Sequence, residues 1–215
     1  MSLLMFNLSP AQVFVITDTL ATTEAGAPFM LVSKCVAMPH LEMVVAFTGI
    51  ANVGQRWTHQ LQTGMVARDI DLLDRHVQSN LQRIESGVEA ELGRAVTSST
   101  IYHLGYSQDR ECYTGYVYRS TDGYASEPME PGFRIKPAPI GDFSTPNTQE
   151  ELIELGLRLR TEQDARSADE RIYIGGEFVQ TLLSQRCMVT AKVHRFEDFE
   201  SHWLAMNEAL SPQSN

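Results

Sequence analysis

Apolar residues in the first fifty positions come in short runs, which is typical of β-strands. The runs cover positions 5–8, 13–18, 29–36 and 41–48, with Ser-Pro, Gly-Ala-Pro and Pro-His breaks between them. Two antiparallel hairpins are the simplest connection of these four strands.

From Ile50 onward, apolar residues recur every three or four positions instead. This spacing predicts helices over about 50–63 and 69–92. Asp69 is the expected N-cap of the second helix, and Gly87 is a point at which that helix kinks or splits.

The second half of the chain returns to strands and adds two more helices. The predicted elements are strands at 100–106, 112–119, 133–135, 177–183 and 187–196, a helix over about 148–165 and a short helix from 198. Thr148 and Glu151 have the spacing of a capping box, which favours a helix start at that point. The stretch between 120 and 147 is rich in Pro and Gly, and the tail at about 207–215 is polar.

This order of strands, two helices, strands, helix and strands predicts an α+β fold rather than an alternating α/β fold. No composition shift or repeat divides the chain, so residues 1–215 are expected to form a single domain. A four-layer αββα sandwich of two antiparallel sheets would bury all the apolar faces. The helices at about 50–63 and 69–92 would cover one outer face, and the helix at 148–165 would cover the other.

Composition and charge narrow the possible partners. The net charge of −10 argues against binding to nucleic acid and against attraction to anionic membranes. The N-terminal apolar stretch has no basic flank and is too short to be a signal peptide or a membrane span. Three widely spaced cysteines, Cys35, Cys112 and Cys187, indicate reduced thiols rather than a disulfide framework. We therefore expect a cytoplasmic protein.

The sequence lacks the usual motifs for zinc binding, for phosphate binding and for a conventional serine triad. The six histidines form no HExxH, HxH or Cys–His cluster with the spacing of a zinc site. No Gly-rich phosphate loop is present, and no GxSxG motif supports a conventional serine triad. The sequence therefore predicts neither a metal nor a cofactor.

One pair of charges stands out against this background. An apolar strand ends at Asp18, a turn of small residues follows, and the next predicted strand reaches Lys34. Buried charges are costly unless they are paired, so we expect these two side chains to meet. On the residues alone, the pair could be a half-buried salt bridge that only joins two strands, or it could be part of an active site.

The segments "VITDTLATTEAG", "LVSK" and "VVAFTGIANVGQRW" resemble the β-type subunits of the proteasome and their bacterial relatives, which are N-terminal nucleophile (Ntn) hydrolases. The resemblance implies the sandwich fold and hydrolysis of a peptide or a small amide. It implies that Lys34 lowers the cost of deprotonating the nucleophile, that Asp18 holds Lys34, and that backbone N–H groups near Gly49 stabilise an oxyanion. It also implies assembly into a homo-oligomer through the helices.

The family's nucleophile is a Thr, Ser or Cys at the mature N-terminus, whose own amine acts as the base. Ser2 precedes Asp18 by sixteen residues, the same separation as that from Asp18 to Lys34, and both spacings match the family. Removal of Met1 would expose the amine of Ser2. An alternative interpretation is that Met-Ser-Leu is a leader added for expression and that Ser2 is not native.

Two further residues match the family's pattern. Asp164 and Ser167, in "QDARS", correspond to its Asp-x-x-Ser at the end of the last long helix. Equally, they could be solvated residues at a helix end. The sequence departs from the family at two points. Asp142, with Ser144 nearby, stands where a loop serine is expected, and the pair Gly175-Gly176 follows only after an extra segment.

Two functional hypotheses follow from these residues. The first is an amide or peptide hydrolase that uses Ser2, Asp18, Lys34 and Gly49, with Asp164 and Ser167 as helpers. The alternative is a non-catalytic assembly or binding subunit that keeps the Asp18–Lys34 pair for structure alone.

Overall fold

The computed structural model describes residues 2–23, 25–96 and 98–210. These residues form an α+β fold with three antiparallel sheets and four α-helices. The strands are β1 (Leu4–Leu8), β2 (Gln12–Asp18), β3 (Leu20–Thr22), β4 (Pro28–Leu31), β5 (Cys35–Met38), β6 (Met43–Gly49), β7 (Ser99–Ser107), β8 (Cys112–Arg119), β9 (Glu127–Pro128), β10 (Gly132–Lys136), β11 (Glu177–Ser184) and β12 (Cys187–Arg195). The helices are α1 (Ala51–Thr63), α2 (Ile70–Leu92), α3 (Gln149–Asp164) and α4 (Phe199–Leu210).

The two larger sheets have the strand orders β10-β1-β2-β11-β12 and β5-β6-β7-β8-β9, and β3 pairs with β4 in a small third sheet. The two predicted N-terminal hairpins are confirmed, because β1 pairs with β2 and β5 with β6. β7 pairs with β8 and β11 with β12 in the same antiparallel way.

One predicted strand is wrong. Positions 29–36 do not form a continuous strand but divide into the end of β4 and the start of β5. In the gap, the Val32 N–H donates to the Thr19 carbonyl at 2.8 Å, and the Lys34 ammonium reaches the end of β2. The chain bends here, which brings the Lys34 side chain to Asp18 and interrupts the strand. Pro39–Leu41 likewise forms a 3-10 turn, so β6 begins at Met43 rather than near Leu41.

The period of two in β6 sends its side chains to two separate cores. Met43, Val45 and Phe47 pack with the buried faces of α1 and α2. Val44 and Ala46 point the other way and pack with side chains of β1 and β2, namely Leu4, Phe6, Leu8, Val13 and Val15. The opposite face of β1 and β2 joins α3 in a third cluster that contains Leu3, Met5, Ile16, Leu152, Leu155 and Leu159.

The helix ends follow the sequence closely. The Asp69 carboxylate accepts from the Leu72 N–H at 3.0 Å, which confirms the predicted N-cap of α2. Gly87 does not split this helix, which runs without a break to Leu92. The Thr148 hydroxyl caps α3 by accepting from the Glu151 N–H at 3.2 Å. The Glu151 carboxylate accepts from Asn147 rather than from Thr148, so the predicted capping box is only half formed.

Three further observations bear on the sequence predictions. Cys35, Cys112 and Cys187 are free thiols, of which Cys187 is exposed. In the described part of the chain, no helix is both long enough and apolar enough to cross a membrane. The predicted polar tail begins within the last turn of α4, and its positions 211–215 lie outside the described residues.

His103 is a buried polar residue in the core beneath α1. Its Nε2 accepts from the Trp57 indole N–H at 2.7 Å, and its ring packs against the edge of Tyr118. Burial lowers the pKa of His103 from 6.5 to about 3, because the charged imidazolium would have to lie in an apolar environment.

Stability should therefore fall on mild acidification. Between pH 6.5 and about 3 the unfolded chain protonates this histidine and the folded chain does not. Unfolding thus takes up a proton in that window, and stability is lost as the pH falls. We expect a slope of up to about 1.4 kcal/mol per pH unit from this group.

Urea denaturation between pH 7 and 5 measures the slope. His103→Gln keeps an acceptor for Trp57 without the titration, and it should remove this part of the slope. Equal slopes in both proteins would contradict the assignment.

Candidate active site

The centre of the candidate site is the ion pair between Asp18 and Lys34. Asp18 is the last residue of β2, and Lys34 immediately precedes β5. The Lys34 Nζ lies 2.8 Å from Asp18 Oδ1 and also donates to the Leu20 carbonyl at 2.6 Å. Asp18 is 0% exposed and Lys34 is 4% exposed. The sequence-based prediction that the two side chains meet is confirmed.

Backbone groups complete the shell of Asp18. Oδ1 also accepts from the Leu3 N–H at 3.0 Å, and Oδ2 accepts from the Gly175 N–H at 3.2 Å. Three donors from three separate segments therefore converge on one carboxylate. Burial lowers the pKa of the Lys34 ammonium, and the charge of Asp18 opposes that effect. The carboxylate thus holds the lysine in place and also fixes the segment that leads into β1.

Gly175 and Gly176 lie at this same point of the fold. Gly176 has a φ of +76°, and a Cβ there would lie 2.4 Å from the Thr19 hydroxyl oxygen. That oxygen accepts from the Glu177 N–H at 2.8 Å, so the space is needed for an existing hydrogen bond. Only glycine fits such a conformation and such a close contact. The glycine pair was visible in the sequence, but nothing local indicated its contact with Asp18.

Ser2 lies beside the ion pair, just before β1. It is 8% exposed and lines an open cleft of about 650 Å³ together with Lys34 and Gly49. The structure therefore brings three of the predicted site residues to one cleft, with Asp18 directly behind Lys34.

Gly49 ends β6 with a φ of +96°, and a Cβ there would lie 2.1 Å from the Ser98 carbonyl oxygen. A side chain is thus excluded at this position. The Phe47 N–H donates to the Lys34 carbonyl at 3.0 Å, so it points toward the β5 side of β6. Since strand N–H groups alternate in direction, the Gly49 N–H points to that same side, beyond the start of β5. An N–H in this position is a suitable donor for an oxyanion in the cleft.

The walls of the cleft combine apolar and polar side chains. Phe29 and Met30 of β4 lie on one side, where they are 58% and 38% exposed. Asp169, Arg171 and Tyr173, from the loop after α3, also line the cleft. Sequence reasoning missed these three, because the loop carries no motif and reaches the cleft only through the tertiary fold.

The two predicted helper residues lie at the end of α3 and just after it. Asp164 is exposed at the end of α3, where it pairs with Arg160 at 2.7 Å and with Arg171 at 3.5 Å. Ser167 is also exposed, and its carbonyl oxygen accepts from the N–H groups of the turn that follows. In the described structure, neither residue has a hydrogen bond or an ion pair with Asp18 or Lys34. The loop positions Asp142 and Ser144 are exposed as well.

No protein-family model matches the chain, and a comparison with curated proteins finds no match either. The resemblance to proteasome β-type subunits therefore stays a prediction from the residues quoted above. The chemistry of the site rests on its geometry, in which Ser2, Gly49 and the buried, ion-paired Lys34 line one cleft.

Proposed function

We propose that the protein is an Ntn hydrolase that cleaves an amide or peptide bond with Ser2 as the nucleophile. The observation that carries the proposal is the buried Asp18–Lys34 ion pair at a cleft that Ser2 and Gly49 also line. A structural salt bridge alone does not require a serine and a glycine of positive φ to line the same cleft.

The proposed reaction begins with the free amine of Ser2, which forms when Met1 is removed. That amine accepts the proton of the Ser2 hydroxyl while Oγ attacks the substrate carbonyl carbon. The Lys34 ammonium stabilises the negative charge that develops on Oγ, and Asp18 keeps the ammonium charged and in place. The Gly49 N–H donates to the carbonyl oxygen as it becomes an oxyanion. The protonated amine then gives its proton to the leaving nitrogen, and water hydrolyses the resulting ester.

The fold part of the proposal is a four-layer αββα sandwich. The three apolar clusters support it, since one lies between β6 and the helices α1 and α2, one between the larger sheets, and one beneath α3. Such layering would leave the edge that contains Asp18, Lys34 and Gly49 open to a substrate.

A specific observation favours a second candidate function, the non-catalytic assembly or binding subunit. In the described structure Asp164 and Ser167 form no hydrogen bond or ion pair with Asp18 or Lys34, and the Leu3 and Gly175 N–H groups give Asp18 a structural role of its own. Assembly into a homo-oligomer stays a prediction. The apolar residues of α2 from Ile70 to Val88 are buried in the chain's own core.

Covalent labelling tests the hydrolase proposal. A protein whose intact mass shows loss of Met1 should react with a fluorophosphonate or a β-lactone, and peptide mapping should place the adduct on Ser2. The same protein with Met1 retained should not react, because an acylated amine cannot act as the base. Ser2→Ala is the matched variant and should also remain unlabelled.

Two outcomes would count against this mechanism. An adduct on Ser2 with Met1 still attached would exclude the amine as the base. Absence of labelling in the processed protein, with the fold intact by circular dichroism, would favour the non-catalytic subunit.

A further inference from the structure

A second pocket, of about 440 Å³, lies between β1 and β10 on one side and β7, β8 and β9 on the other. Among the described residues, none lines both this pocket and the cleft at Ser2. The lining of the pocket combines charged side chains with apolar ones, which include Leu4, Phe6 and Val117. The ring of Phe6 packs at 5.5 Å from the ring of Tyr102, which also lines the pocket. This size and lining suit a small organic ligand.

The pocket also contains a cation without a counter-charge. Lys136, the last residue of β10, is half-buried, and its Nζ donates to the Thr48 hydroxyl oxygen at 3.1 Å. Within the part of the chain that the structure describes, no carboxylate forms an ion pair with it. Burial lowers the pKa of Lys136, and the positive charge of nearby Arg119 lowers it further.

The other cations of the pocket are already neutralised or exposed. The Arg119 guanidinium is paired with the Glu127 carboxylate, and Arg134 is exposed at the rim with Glu130 beside it in the lining. The balance in the pocket is therefore about one positive charge, centred on Lys136. The Tyr102 hydroxyl stays protonated at neutral pH, because burial raises its pKa, and it is available as a donor.

We propose that this pocket binds a small monocarboxylate with an apolar body, whose head group contacts Lys136 and whose body lies against Phe6 and Tyr102. A single negative charge matches the single unpaired ammonium and would recover the interaction that the ammonium lacks in the free protein. A dianion such as a phosphate ester fits less well, since the Glu127 and Glu130 carboxylates border the same space.

Octanoate is a suitable probe, with octylamine as the matched ligand of opposite charge. Calorimetric titration of the wild-type protein should show saturable binding of octanoate, and octylamine should bind at least about tenfold more weakly. In NMR spectra, the backbone amide resonances of residues around Phe6, Tyr102 and Lys136 should move as octanoate is added. Equal affinity for both ligands, shifts confined to another surface, or no binding of octanoate would each overturn the proposal. This comparison needs no variant, so it stands even where a substitution prevents folding.

Variants then identify the cation. Lys136→Met keeps the apolar stem without the charge, and it should weaken octanoate binding by about tenfold or more. Lys192→Met is the matched control, because Lys192 is an exposed lysine on β12 that pairs with Glu177 and does not line the pocket. The control should leave the Kd unchanged within about twofold. An equal loss of octanoate affinity in both variants would show that the affinity depends only on the net charge of the protein, and it would overturn the assignment of Lys136.

Discussion

Replacing Asp18 with Asn should lower the free energy of unfolding by about 3–5 kcal/mol, because it leaves the Lys34 ammonium buried without a counter-charge. Lys34 is 4% exposed, so water cannot compensate for the lost carboxylate. The substitution also places an amide N–H₂ group in a shell made of donors, since the N–H groups of Leu3 and Gly175 both point at the side chain. An asparagine has one acceptor oxygen and cannot serve all three donors.

Equilibrium urea denaturation at pH 7 measures this loss. Asp164→Asn is the matched control, because it makes the same chemical change in a carboxylate that is 40% exposed and pairs with Arg160. The control should cost about 1 kcal/mol or less, as exposed ion pairs do. Similar losses in the two variants would show that the Asp18–Lys34 pair contributes no more than a surface salt bridge.

The ion pair was predictable because Asp18 and Lys34 each stand out from the apolar residues next to them in the sequence. An apolar run that ends in a carboxylate, followed sixteen residues later by a lysine in the next apolar run, predicts that the two charges meet, although Lys34 lies in the gap between β4 and β5 rather than within a strand. The helices were also predictable from local signals, because the apolar spacing and the capping residues of each helix lie within one short stretch of sequence. The α1 and α2 boundaries therefore agree with the sequence to within one residue.

Ser2 and Gly49 were also predicted, but other residues of the site were not, because their contacts join positions that are distant in sequence. The hydrogen bond from Gly175 to Asp18 joins residues 157 positions apart. Asp169, Arg171 and Tyr173 reach the cleft only because the loop after α3 returns past β2 and β3. Lys136 was missed for a related reason, since it ends a short strand in a Pro/Gly-rich stretch and acquires its environment only when β10 pairs with β1.

The Asp18–Lys34 pair has two candidate roles, one structural and one chemical, and a single substitution changes both. Asp18→Asn and Lys34→Met each leave one buried partner alone, so each should destabilise the protein and reduce any reactivity together. The double variant Asp18→Asn/Lys34→Met separates the roles, because it removes both charges and keeps the apolar stem of the lysine. Replacing a buried ion pair by hydrophobic side chains of similar size is often neutral or stabilising, and here the asparagine keeps an acceptor for the Leu3 and Gly175 N–H groups.

We expect the double variant to be at least about 2 kcal/mol more stable than Asp18→Asn alone, because no unpaired charge is left. Its reaction with the serine-directed electrophile, after removal of Met1, should nevertheless be about 10²–10³-fold slower than that of the unsubstituted protein, since the ammonium that stabilises the developing charge on Ser2 is missing. Urea denaturation and the rate of adduct formation by intact mass give the two readouts on the same preparation. Recovery of both stability and rate would show that Lys34 has no part in the chemistry and that the pair is structural. Recovery of stability without the rate would support Lys34 as a catalytic residue beside Ser2, with Asp18 as the group that positions it.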